Sequence, residues 1–199
     1  MLSTKLNKTA LLCIVISFAL FLGCAGNKPK QSSTSEQKPQ ILDMPNQKMA
    51  VVYTKGDPNV VGAQAIPALY GSVSELIPQL KMKGIDFQLG ALRARWPDLS
   101  STPQDQWTGI WGLPIPDAVD SVPQKVPDTE VKIENWSYGK VAQILHIGPY
   151  STETATIQRL MDFITQSGYE IAGSHEEEYL TPPGVEEQKT IIRYPIKKK

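Results

Sequence analysis

From Lys48 onward the apolar positions of the chain follow one pattern twice. Val73, Leu76, Ile77 and Leu80 are spaced i, i+3, i+4, i+7, and so are Ile157, Leu160, Met161 and Ile164. That spacing lays each set along one stripe of an amphipathic helix. Both stripes run into a glycine, in Gly84-Ile-Asp-Phe and Gly168-Tyr-Glu-Ile, which sets the copies 84 residues apart. At that shift residues 91–95 fall on 175–179, each expected to be a strand, and Arg93 becomes the positional twin of Glu177. Further on, Ile110-Trp-Gly-Leu-Pro-Ile matches Ile191-Ile-Arg-Tyr-Pro-Ile with a three-residue loop difference. Upstream, Lys55-Gly-Asp-Pro sits opposite Ile147-Gly-Pro-Tyr. Each half reads strand, Gly/Pro turn, helix, glycine stop, strand, loop, strand.

The second copy is the cleaner one. Residues 141–147 form a strand rich in branched apolars, Ser151 or Thr152 can cap the helix, and Gly168 ends it. In the first copy Pro67 suits a first helical turn, and Pro78 predicts a kink or two short helices. Residues 114–127 are a proline-rich connector, after which 131–136 is expected to pair with 141–147 through a turn at 137–140. The predicted fold class is α+β. Duplicated βαββ units build a mostly antiparallel sheet with both helices on one face, because neither stripe can be buried without a sheet. The other face is expected to be concave, with a ligand cleft between the pseudo-symmetric halves.

The N-terminal segment changes the chemistry available. Lys5 and Lys8, an apolar run over 10–22, and Phe21-Leu22-Gly23-Cys24 read as a lipoprotein signal peptide over residues 1–23. Cys24 would then be acylated, by palmitate or a similar chain, and become the mature N-terminus. Residues 24–47 read as a lipidated, disordered tether, and 48–199 as the folded domain. Removing the leader takes Lys5 and Lys8 from the 20 basic side chains, so 18 bases face 20 acids. With no basic excess, nucleic acid is not an expected partner. Cys13 leaves with the leader and Cys24 carries the lipid, which excludes disulfides and cysteine metal sites from the domain. His146 and His175 alone are too few for a zinc site. No metal and no cofactor is expected.

Gly148-Pro-Tyr after a branched strand, a helix, Gly168, then Glu177-x-Tyr179-Leu180-x-x-Pro183 and a closing Thr190-Ile-Ile-Arg-Tyr-Pro-Ile resemble the GyrI-like small-molecule-binding domain. This effector-binding domain also occurs attached to AraC- and MerR-type regulators. The resemblance covers roughly residues 48–197 and implies a duplicated βαββ fold with a cleft between the halves. It implies a buried glutamate among aromatic rings that holds lipophilic cations, and that glutamate falls on Glu177. Tyr150, from Gly-Pro-Tyr, and Tyr194, in the closing strand, become candidate cleft rings. No DNA-binding domain precedes this copy, so gene regulation is not carried over.

The residues themselves agree in part. On an extended strand His175, Glu177 and Tyr179 point one way and Glu176 and Glu178 the other. A carboxylate among rings suits a planar, greasy cation, each ring adding roughly 0.5–2 kcal/mol. Read without a ligand, 176–178 is a solvated acidic run. If Arg93 faced Glu177 it would neutralise the acid and favour anionic or neutral ligands. Trp107 and Trp111 alternate on one face with Gly109 between them, and Trp136 lies at a strand end; core packing and cleft lining are both open to them. Gly109 and Gly112 either keep the strand open for a ligand or mark a bulge.

The ligand-binding candidates are therefore Glu177, Tyr150, Tyr179, Tyr194, Trp107, Trp111, Trp136 and Arg93, with Cys24 for lipidation. The expectation is a lipid-anchored, exported monomer that captures a hydrophobic, aromatic or cationic small molecule. It would sit in the cell envelope, at the outer membrane if there are two. Three alternatives remain. Glu177 with an aromatic partner could hydrolyse a strained electrophile, as relatives of the resembled family do. His146 or His175 could ligate a porphyrin, or the domain could be structural.

Overall fold

A computed structural model describes residues 37–99, 102–182 and 185–199. The leader, Cys24 and Pro183 lie outside the described residues. In chain order the elements are β1 (Gln40–Met44), β2 (Gln47–Lys55), α1 (Pro58–Ser74), α2 (Leu76–Met82), β3 (Leu92–Trp96), β4 (Thr108–Pro114) and β5 (Lys132–Trp136). They continue with β6 (Gly139–Ile147), α3 (Thr154–Gln166), β7 (Tyr169–Ile171), β8 (His175–Tyr179) and β9 (Lys189–Lys198). The strands form one curled antiparallel sheet in the order β1-β6-β9-β8-β3-β4-β2-β5, with β7 added alongside β9. Helices cover one face. Leu69, Val73, Leu76 and Leu80 bury against Ala50, Val52 and Trp111, while Leu160 and Ile164 of α3 bury against Ala142, Ile144 and Ile192.

The duplication is visible in the register. Val52 pairs with Trp111, and Ile144 with Ile192, so β2 maps onto β6 and β4 onto β9 as the sequence pattern predicts. Gly56 and Gly148 have φ of 131° and 136°, and Gly84 and Gly168 have 76° and 79°. These are conformations that favour glycine, and each occurs at the same place in both copies.

Four details differ from the sequence expectation. β5 pairs with β2 rather than with β6, and β1 pairs with β6, so each copy lends its first strand to the other. Only two residues join β5 to β6, and Tyr138 N–H there donates to Asn46 Oδ1 at 3.4 Å, holding the two corners crossed. β1 itself lies inside the stretch expected to be tether. Leu42 and Met44 pack against the cluster of Met49, Val51 and Trp136, which gives that segment apolar surface to bury. The first helix starts at Pro58 instead of Pro67, because Asp57 caps it by accepting from Asn59 N–H at 2.9 Å. Pro78 does divide the helix. Its ring would meet the carbonyl of Ser74, and α1 ends at that residue.

Candidate functional site

Paired residues in an antiparallel sheet share a face, so the register decides which side chains meet. One row on the helix-covered face runs Val52, Trp111, Ala94, Glu177, Ile192, Ile144. Glu177 is the single charged residue in it. The next row, on the other face, runs Tyr53, Ile110, Arg95, Glu176, Arg193, Gln143. The candidate acid therefore lies beneath the helices, not on the face opposite them where the sequence reading sought the cleft.

Glu177 is 12% exposed at its side chain and both its oxygens are engaged. Tyr179 donates its hydroxyl to Oε2 at 2.6 Å, and His175 Nε2 lies 2.9 Å from Oε1. A carboxylate can only accept, so Nε2 carries a hydrogen. In the neutral ring Nδ1 is then the acceptor for the Tyr194 hydroxyl, 2.8 Å away. Tyr194, His175 and Glu177 form one hydrogen-bonded line. Burial, then the charge of Glu177, pushes the Tyr194 hydroxyl up to about 12. The same two causes hold Tyr179 well above its ordinary value.

Rings from both copies surround this line. Tyr179 stacks on Trp111 with centroids 6.5 Å apart and meets Tyr150 edge-on at 5.6 Å. Trp111 meets Trp96 at 5.1 Å, and Trp96 meets Trp107 at 5.8 Å. Tyr150, 40% exposed, is the outermost of these rings. Gly109 does not hold the strand open: a Cβ there would lie 3.0 Å from Trp96 and 3.2 Å from Trp111. Gly112 likewise accommodates Trp136, on the other face.

Two expected site residues are elsewhere. Arg93 lies opposite Glu178, with Nε 3.4 Å from its Oε2, and donates to the Tyr138 hydroxyl at 2.9 Å. The shift of 84 holds at Gly84 and Gly168, but the segment before the strand is one residue shorter in the second copy. Ala94, not Arg93, is the twin of Glu177, and a slip of one residue moves a side chain to the other face. Trp136 shares that other face, under the Arg95 guanidinium at 3.9 Å. There Glu176, 1% exposed at its side chain, accepts from Arg95 at 2.7 Å, Arg193 at 2.6 Å and Tyr138 at 2.9 Å. The acidic run is thus neither wholly solvated nor wholly in one site.

One acid escaped the sequence reading as a site residue. Glu153, at the start of α3, is 6% exposed, and its Oε1 is buried without a hydrogen-bond partner. Burial, then the charge of Glu177, pushes its carboxyl up to about 8. An acid in the first turn of a helix ordinarily reads as a favourable dipole contact. Its position three residues after Tyr150 was the available signal. His146, by contrast, is satisfied by Thr156 Oγ1 at 3.0 Å and the Pro149 carbonyl at 3.2 Å.

The model of the GyrI-like small molecule binding domain matches residues 37–197. The chain belongs to this family. Among solved structures, a hydrolase from Listeria innocua is 25% identical, with a TM-score of 0.67 over 81% of this chain and 93% of that one. An uncharacterized conserved protein from the same organism is 26% identical, with a TM-score of 0.69 over the same shares. The C-terminal domain of EcmrR shares the fold at 14% identity, with a TM-score of 0.56 over 81% of this chain and 98% of that one. No curated protein matches the chain. The GyrI-like match begins at residue 37, just ahead of β1, and so includes this strand within the stretch expected to be tether.

Proposed function

We propose that this GyrI-like domain binds a hydrophobic, aromatic, cationic small molecule at Glu177, with Tyr150, Tyr179 and Trp111 as its ring contacts. The observation that carries this reading is the row of apolar residues interrupted by one carboxylate at the boundary between the copies. A cation there meets a desolvated negative charge and ring faces, whereas an anion meets two acids. Tyr194 supports the site from behind through His175, and Trp96 and Trp107 back Trp111. Arg93 and Trp136 take no part. Acylation at Cys24 would hold the domain at the cell envelope.

Titrating the full chain with rhodamine 6G while following tryptophan fluorescence tests the reading. Saturable quenching, lost in Glu177→Gln, is the expected result; quenching that Glu177→Gln leaves unchanged contradicts it. Exchanging Cys24 for serine should move the protein from the detergent phase to the aqueous phase.

A second reading has a specific observation behind it. His175, Glu177 and Tyr179 form an acid–base set, and a Listeria innocua hydrolase shares the fold at 25% identity. Glu177 would activate water against an electrophilic ligand held by the same rings. Product formation that stops in Glu177→Gln while the ligand still binds would favour this reading.

A further inference from the structure

Glu153 supplies a buried acceptor that this cluster leaves open. Glu177 has a partner on each oxygen, whereas Glu153 Oε1 has none among the described residues. A buried carboxyl oxygen without a donor is costly, and native folds keep few of them. The groups around it are Tyr150 from its own turn, His146 of β6 bonded about that turn, and Glu177 and Tyr179 of β8 with His175 behind them. These neighbours bring negative charge and hydroxyls, and His146 spends both ring nitrogens on Thr156 and on Pro149 and Thr152.

We propose that Glu153 is the hydrogen-bond acceptor for a ligand N–H, so that the site selects protonated amines on an aromatic body over quaternary cations of the same shape. The inference rests on the cation-binding reading of Glu177 and adds the class of cation. A quaternary nitrogen is attracted by Glu177 and the rings, yet has no hydrogen for Glu153. A primary ammonium has three, enough to serve Oε1 while its charge stays near Glu177. Because burial holds the Glu153 carboxyl protonated up to about pH 8, seating an ammonium releases that proton to solvent and leaves an N–H···O contact in its place. Selection of the amine should therefore strengthen as pH rises.

The test uses 9-(aminomethyl)anthracene and its trimethylammonium analogue, titrated into the full chain and read by energy transfer from tryptophan. The amine should bind about tenfold more tightly, the effect of one charged hydrogen bond. Glu153→Met, which removes the acceptor, should abolish that preference while leaving the trimethylammonium affinity within about threefold. Glu153→Gln keeps an acceptor but cannot titrate, so it should retain a preference that no longer changes between about pH 6 and about pH 8.5. Equal binding of the two probes by the wild type overturns the inference, as does a preference that survives in Glu153→Met. Should Glu153→Met fail to fold, an amine preference in the wild type that does not grow with pH overturns it as well. If neither probe binds the wild type, the cation-binding reading itself fails, which is a separable outcome.

Discussion

Ala94 and Glu177 face each other across the β3–β8 pair, at the point where the two copies of the repeat meet. One copy carries a methyl group there and the other a carboxylate, so a near-symmetric sheet holds a site with one charge. Removing that charge should have a local effect. Glu177→Gln should weaken binding of an aromatic cation by about tenfold to a hundredfold, the range of a lost charged hydrogen bond. It should leave the melting temperature little changed, because the amide oxygen still accepts from one of Tyr179 and His175 while the amide NH2 can donate to the hydroxyl oxygen or the imidazole nitrogen of the other. Calorimetric titration beside a thermal melt separates the two effects.

Glu176, one residue earlier, should behave in the opposite way. It is bonded to Arg95, Arg193 and Tyr138 on the far face. Glu176→Ala leaves those arginines short of a counter-charge and should cost about 3–5 kcal/mol. Urea denaturation measures the loss. At temperatures where the variant is still folded, cation affinity should match the wild type.

Stability should carry a pH signature from Glu153. Its carboxyl is raised from 4.5 to about 8 in the folded protein. Below about pH 4.5 folded and unfolded chains both hold the proton. Between there and about pH 8 the folded state keeps a proton the unfolded chain has released, so stability falls as pH rises. Glu153→Gln removes this dependence. The variant should melt above the wild type at about pH 8, with the gap closing towards about pH 4.5. A gap that widens on acidification would contradict the assignment.

How much of this was legible in sequence depended on loop length. The helical stripes, the matched glycines and the equivalence of Lys55 with Ile147 were readable because they lie in, or directly at the ends of, regular elements of fixed period. The twin of Glu177 was not, since one residue gained or lost between Gly84 and β3 leaves no mark on composition yet reverses a face. Likewise β1 and β5 are short strands whose partners belong to the other copy, and local pattern favours a neighbour in sequence over one across the molecule. Glu153 stayed hidden because burial at the start of a helix is a tertiary property.

The turn that carries Tyr150 depends on Gly148. Its φ of 136° suits glycine alone, and an added Cβ would lie 3.2 Å from Thr152 Oγ1. Gly148→Ala should cost about 1–3 kcal/mol and weaken ligand binding through Tyr150. Gly168→Ala, at φ 79° with open space around its Cβ position, should cost about 1–2 kcal/mol and leave binding intact. Paired denaturation curves and titrations decide between these outcomes.

The location of a bound cation tests the account most directly. A crystal structure of the complex with rhodamine 6G should place the dye on the helix-covered face, against Tyr150, Tyr179 and Trp111, with its charged end towards Glu177. Density for the dye over Arg95 and Trp136, or in the cavity of about 370 Å³ beside Tyr53 and Lys132, would contradict it.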